Sequence, residues 1–222
     1  MPQQQIFSRN VFSWFSFLQK SLLLAVVFLI AACAGPGSTT GSAVNTTASP
    51  VATAKTQATI RTNAPTCSGV VTTSQTEGPF YKPNSPERTS LREPGLSGTP
   101  LTVTGYVLST TCQPIAHALL DFWQADSSGN YDNSGFRLRG HQYTDAQGRY
   151  SLETIVPGEY PGRTRHIHVK VQAPGKPVLT TQLYFPGETR NDSDGIFSPA
   201  LLMQVQNTAN GQLATFNFII PL

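Results

Sequence analysis

Two kinds of side chain in this sequence stand at spacings that could do more than pack. The stretch Arg163-Thr164-Arg165-His166-Ile167-His168-Val169-Lys170-Val171 places two histidines on alternate residues. In a strand the side-chain period is two, so His166 and His168 leave one face together while Ile167, Val169 and Val171 leave the other. Two imidazoles aimed at one point can hold a metal ion. The same pattern also suits a solvated or core-satisfied pair, and a metal would need further ligands. Tyr131 and Tyr160 are candidates, because each follows a Gly-containing turn at a strand end, where a loop can carry a phenol toward the histidine strand. A tyrosine in such a place can equally be a half-buried packing residue.

Strands must position these groups. Leu101–Leu108, Ala118–Ala125, Tyr150–Ile155, His166–Val171, Val178–Phe185 and Leu213–Ile220 are short apolar or alternating runs. Turn signals such as Ser127-Ser128-Gly129, Asp145-Ala146-Gln147-Gly148 and Pro157-Gly158 separate them. No stretch after Cys33 makes a long amphipathic helix. The spacing predicts an all-β protein whose single domain, residues 66–222, is a β-sandwich with long loops at the site.

The other residues form a leader and a tether. Arg9 and Lys20 precede an apolar run, Leu22–Ala32, that is too short to span a bilayer and suits the core of a signal peptide over residues 1–32. It ends in Leu29-Ile30-Ala31-Ala32-Cys33, which resembles the bacterial lipobox. Cys33 is therefore the expected lipidation site, and the lipid the only expected membrane contact. Residues 33–65 are mostly Gly, Ser, Thr, Ala and Asn and should form a flexible linker. The expected location is extracytoplasmic, anchored to a bacterial membrane. Cys67 and Cys112 then remain as an even pair in an oxidising compartment, a candidate disulfide; two buried free thiols are the alternative.

Composition narrows the function classes. Charged residues make up only 12% of the 222, and the formal net charge is +3. Without the leader, thirteen basic residues face twelve acidic ones and no Lys/Arg run occurs, so there is no electrostatic footprint for nucleic acid.

Five segments together resemble a known family. They are Thr76-Glu77-Gly78-Pro79-Phe80-Tyr81, Trp123-Gln124-Ala125-Asp126 through Gly129-Asn130-Tyr131, Thr154-Ile155-Val156-Pro157-Gly158-Glu159-Tyr160, Arg163 with His166-Ile167-His168, and Gln182-Leu183-Tyr184-Phe185. In this order, across nearly all of residues 66–222, they resemble the intradiol ring-cleavage dioxygenases, especially the protocatechuate 3,4-dioxygenase-like branch. The resemblance implies a mononuclear Fe(III) held by Tyr131, Tyr160, His166 and His168. It makes Arg163 and Gln182 the residues that face a bound catechol, and Tyr160 a ligand with a catalytic part as well. The implied reaction uses O2 to open a catechol-type ring between its hydroxyls, giving a muconate-type dicarboxylic acid.

The chemistry suits those residue types. Fe(III) is a hard cation, and two phenolates with one hydroxide balance its charge while neutral imidazoles complete the set. Arg163 would stabilise a carbanion-like ring by fixed positive charge. Two other readings compete: an extracytoplasmic β-sandwich binding module whose histidine pair is incidental or binds zinc, and a degenerate dioxygenase that binds aromatics without turnover. The tyrosine pair speaks against zinc, which favours Cys, His and carboxylate.

Overall fold

The computed structural model describes residues 65–222. The proposed leader, Cys33 and all of the linker except Pro65 lie outside the described residues. Nine strands form two sheets and, among the described residues, the only helical segments are two short 3-10 turns, Thr189–Asp192 and Pro199–Leu201. The all-β sandwich is therefore the fold.

One sheet contains β1 (Pro100–Ser109), β4 (Arg149–Ile155), β7 (Gln204–Thr208), β8 (Gly211–Thr215) and β9 (Phe218–Ile220). Its order is β4-β1-β8-β7, with β9 also beside β1. The other contains β2 (Leu119–Trp123), β3 (Arg139–Tyr143), β5 (His166–Gln172) and β6 (Leu179–Tyr184), in the order β3-β2-β5-β6 with every pairing antiparallel.

Two strands escaped the apolar pattern for physical reasons. In β3, Arg139-Gly140-His141-Gln142-Tyr143 is polar, but a strap of chain roofs it, and a Cβ at Gly140 would meet Arg88 Cγ and Leu91 Cδ2 at 2.8 Å each. The edge strand β7 is polar because it is largely exposed. The run Leu213–Ile220 is divided, since β8 pairs in parallel with Leu101–Thr104 and β9 with Val107–Ser109. Between them the chain crosses β1 so closely that a side chain at Gly105 would overlap the Phe216 carbonyl. Asn217 Oδ1 there accepts from the Tyr106 amide at 3.0 Å.

The core lies between the sheets. Ile167, Val169 and Val171 of β5 and Leu183 of β6 are fully buried beside Leu120, Phe122, Val103, Val107 and Leu152. Each such side chain contributes about 1.5–3 kcal/mol by leaving water. The opposite face of the four-stranded sheet carries the polar residues. One cross-strand row reads Arg139, Trp123, His168, Gln182, and the next pairs His166 with Tyr184.

The strap from Cys67 to Leu91 spans both sheets. Cys67 is bonded to Cys112 in the β1–β2 turn, with Cα atoms 5.8 Å apart. Backbone bonds from Thr72 to Ile219, Gln75 to Thr180, Arg88 to His141 and Leu91 to Glu153 tie it successively to β9, β6, β3 and β4. It thereby covers sheet edges that would otherwise expose unpaired backbone groups.

Candidate metal centre

Strand alternation brings His166 and His168 to one face, both buried, with ring centroids 4.7 Å apart and nearly perpendicular. Their Nε2 atoms approach to 3.1 Å. His166 Nδ1 lies 2.6 Å from the Thr164 carbonyl, which can only accept. The proton of neutral His166 therefore sits on Nδ1, and a lone pair on Nε2 faces His168. Trp123 lies flat on His168, centroids 4.8 Å apart at 6°, and fixes that ring. Gly78 of the strap supplies the other wall; its φ is +68° and a Cβ there would stand 3.4 Å from His168 Cε1. Burial first, then the Arg163 charge, lowers the His166 pKa to about 4, and burial and His166 hold His168 well below the ordinary imidazole value. Both rings are thus neutral donors at neutral pH.

The two tyrosines arrive on loops that touch. Asp126, just after β2, accepts on Oδ1 from the Ser128 and Asn130 amides at 2.9 Å, and its carbonyl takes the Gly158 amide at 2.7 Å. One aspartate therefore shapes the Tyr131 turn and docks the Tyr160 loop onto it. Gly129 is required there, because its φ is +84° and any side chain would overlap the Glu159 carbonyl. The rings of Tyr131 and Tyr160 meet edge to face at 5.7 Å. Tyr160 is 5.6 Å from His166 and Tyr131 is 6.3 Å from His168, centroid to centroid. Phe80 of the strap stacks on Tyr131 at 4.5 Å. Four aromatic donors from three segments thus converge.

Tyr131 Oη is buried without a hydrogen-bond partner. Burial, then Tyr160, pushes its pKa well above the ordinary phenol value, while Arg163 and Arg139 pull the other way. A cation at the convergence point would both satisfy that oxygen and favour its phenolate. The nitrogen separation suits two neighbouring ligands of one ion, since metal–nitrogen bonds of about 2.1 Å at a right angle place them roughly 3 Å apart. Among the described residues no three His, Cys, Asp or Glu cluster, and a metal at this convergence would be held by phenol and imidazole donors. Hard phenolates with imidazoles fit ferric iron.

Arg163 and Gln182 adjoin this group. Arg163 Nη1 donates to Tyr160 Oη at 3.1 Å and Nη2 donates to Gln182 Oε1 at 2.6 Å. Gln182 Nε2 donates to the Thr76 carbonyl at 2.9 Å, which turns the amide oxygen toward Arg163. Arg165 points elsewhere and pairs with Glu188 at 3.0 Å.

Several residues here carried no role in the sequence reading. Tyr184 Oη donates to Gln182 Oε1 at 3.0 Å, and Asp194 bonds Arg163 Nε at 2.9 Å. Arg139, buried beside Tyr131, donates to the carbonyls of Phe80 and Asp132 and so joins strap to loop. Alternation from Gln182 could have flagged Tyr184. Nothing local marks Asp194, whose partners in the site, Arg163 and Thr164, lie some thirty positions earlier in the chain.

Comparison with known proteins identifies the family and fold. A family model described as Dioxygenase matches residues 76–218. The dioxygenase domain of a dioxygenase carbohydrate-binding protein fusion from Streptomyces sp. SirexAA-E is 59% identical, with a TM-score of 0.68 over 69% of this chain and 99% of that one. An intradiol ring-cleavage dioxygenase from Tetranychus urticae is 26% identical, with a TM-score of 0.63 over 68% of this chain and 94% of that one. Chlorocatechol 1,2-dioxygenase of Pseudomonas sp. strain P51 is 30% identical over 147 residues, which are 54% of this chain and 58% of that enzyme. The chain thus spans little more than half the length of that curated relative. With a family match over most of its length, a shared fold and paired histidines facing paired tyrosines, the chain belongs to the intradiol ring-cleavage dioxygenase family.

Proposed function

We propose that this protein uses O2 to open a catechol-type ring between its two hydroxyls, forming a muconate-type dicarboxylic acid, with Fe(III) held by Tyr131, Tyr160, His166 and His168. The observation that carries the reading is the meeting of two phenols, two imidazole nitrogens 3.1 Å apart and a guanidinium at Tyr160 Oη. When bound, ferric iron would draw electron density from a catecholate and so make its ring reactive toward O2.

The remaining work falls to the chain's own groups. His166 and His168 bind as neutral donors because burial keeps protons off them. Tyr160 is the phenol that touches Arg163, so its oxygen would be the group placed to take a proton from an incoming catechol hydroxyl. Arg163 Nη1, held at Tyr160 Oη, would stabilise negative charge on a substrate oxygen bound beside it. Burial opposes the guanidinium charge, but Asp194 and Tyr160 outweigh it and raise its pKa, so Arg163 stays charged. Gln182 holds the second Nη edge, and Phe80 and Trp123 pack behind Tyr131 and His168.

The same proposal places the enzyme outside the cytoplasm as a lipid-anchored protein. It rests on the apolar run Leu22–Ala32, the lipobox-like Leu29-Ile30-Ala31-Ala32-Cys33 and the linker of mostly small residues behind them. A Cys67–Cys112 bond accords with an oxidising compartment.

The test is to load purified protein with Fe(III), record its visible spectrum, and follow oxygen uptake with catechol, chlorocatechol, protocatechuate and hydroxyquinol. A tyrosinate-to-iron charge-transfer band, with uptake on at least one catechol, supports the reading. A colourless iron complex contradicts the ligand set, and a coloured protein that consumes no oxygen with any of the four favours a binding protein that does not turn over.

A further inference from the structure

One carboxylate in the loop after β6 ties the arginine of the site to the histidine strand. Asp194 lies in the turn Asn191-Asp192-Ser193-Asp194-Gly195, and its side chain is 2% exposed. Its Oδ2 accepts from Arg163 Nε at 2.9 Å and from the Thr164 amide at 3.0 Å, while its Oδ1 accepts from the Ile196 amide at 3.1 Å. The Thr164 carbonyl in turn receives His166 Nδ1. Asp194 is therefore one bond from Arg163 and one residue from a candidate ligand.

The geometry of a guanidinium explains why this matters. Its donors are fixed in one plane, so pinning Nε leaves little freedom for the two Nη groups. With Nε on Asp194, Nη1 meets Tyr160 Oη and Nη2 meets Gln182 Oε1. Tyr184 Oη, 3.4 Å from Nη2, supports the far edge. Without the carboxylate, Nε would lose its partner in a half-buried site and the long side chain would regain rotamers.

We propose that Asp194 is the positioning residue for Arg163, holding the guanidinium so that its Nη1 edge lies at the Tyr160 oxygen. The consequence for turnover rests on the ring-cleavage reading, whereas the orientation of Arg163 does not.

Two measurements on the full chain test this. In iron-loaded protein, Asp194→Asn, which keeps the size of the side chain, should retain iron and the tyrosinate band. Its kcat/KM on catechol should fall at least tenfold, mostly in kcat. In an Arg163→Ala background the same change should cost less than twofold, because a residue that acts through Arg163 has nothing left to position. In gallium-loaded protein, where the ion is diamagnetic, the Arg163 Nε–H should exchange slowly with water in the wild type and rapidly in Asp194→Asn. An Nε–H that exchanges freely in the wild type overturns the proposal whether or not the variant folds. So does undiminished kcat/KM in Asp194→Asn, or an equal loss with and without Arg163. A protected Nε–H that is lost in the variant, in a wild type that opens no ring, upholds the positioning role and refutes the ring-cleavage reading.

Discussion

At His166, strand periodicity and a single backbone bond act together: alternation aims the ring, and the Thr164 carbonyl fixes its tautomer. The first of these was legible in His166-Ile167-His168, because a period of two needs only local sequence. The tyrosines were candidates from their Gly-containing turns, but only the family's ordered segments tied them to the histidines, since no local rule says where a loop will lie. Asp194 was not legible at all, because its meaning depends on contacts far away in the chain. His166→Ala should lower iron content and ring cleavage together, measured as bound metal and oxygen uptake. Arg163→Ala should keep iron and colour while turnover falls about a hundredfold, roughly 3 kcal/mol for one charged donor to a developing anion. If iron leaves with Arg163, its place beside the reacting oxygen is wrong. Protonation gives a separate test on metal-free protein. His166 is held at a pKa of about 4 when folded, chiefly by burial, against about 6.5 when unfolded. Between those values the unfolded state binds more protons, so the stabilisation is complete above about pH 6.5 and is lost as pH falls through 4. Denaturant unfolding across that window should show the decline, and His166→Phe should make it shallower, with the depressed His168 supplying the rest; a flat wild-type profile would contradict the burial argument.

At the scale of elements, the site is a sheet face roofed by loops, and the elements differ in how plainly sequence announced them. Strands with an apolar face, β1, β2, β4, β5 and β6, followed the hydrophobic pattern closely. The polar strands β3 and β7 did not, one because the strap covers it and the other because it is an exposed edge. The junction of the two tyrosine loops depends on Gly129, where a positive φ and contact with the Glu159 backbone coincide. Gly129→Ala should force the loops apart and disturb both phenols while leaving the sandwich intact. The expected result is a shifted or weakened tyrosinate band and faster loss of iron to a chelator, with thermal unfolding of the metal-free protein lowered by much less than a core substitution would cause. A variant with wild-type colour and iron retention would show that the loop contact does not set the ligand geometry.

For the whole molecule, family membership fixes the fold, and the proposed N-terminal leader would decide where the proposed chemistry takes place. The leader, linker and lipidated Cys33 are proposed from sequence alone, because targeting signals are local compositional patterns. Cys33→Ser should abolish lipid attachment and move the protein from the membrane fraction to the soluble or unprocessed pool, as followed by fractionation and intact mass. A variant that is processed and membrane-bound like the wild type would overturn the anchored form while leaving the enzyme reading untouched. The central claim is that the Tyr131, Tyr160, His166 and His168 centre opens a ring between its hydroxyls, and the most direct measurement is the product formed by iron-loaded protein from catechol under isotopically labelled O2. The account predicts a muconate-type diacid carrying both labelled oxygen atoms. A ring-opened aldehyde acid, an unlabelled product, or no ring-opened product from catechol, chlorocatechol, protocatechuate or hydroxyquinol would contradict it.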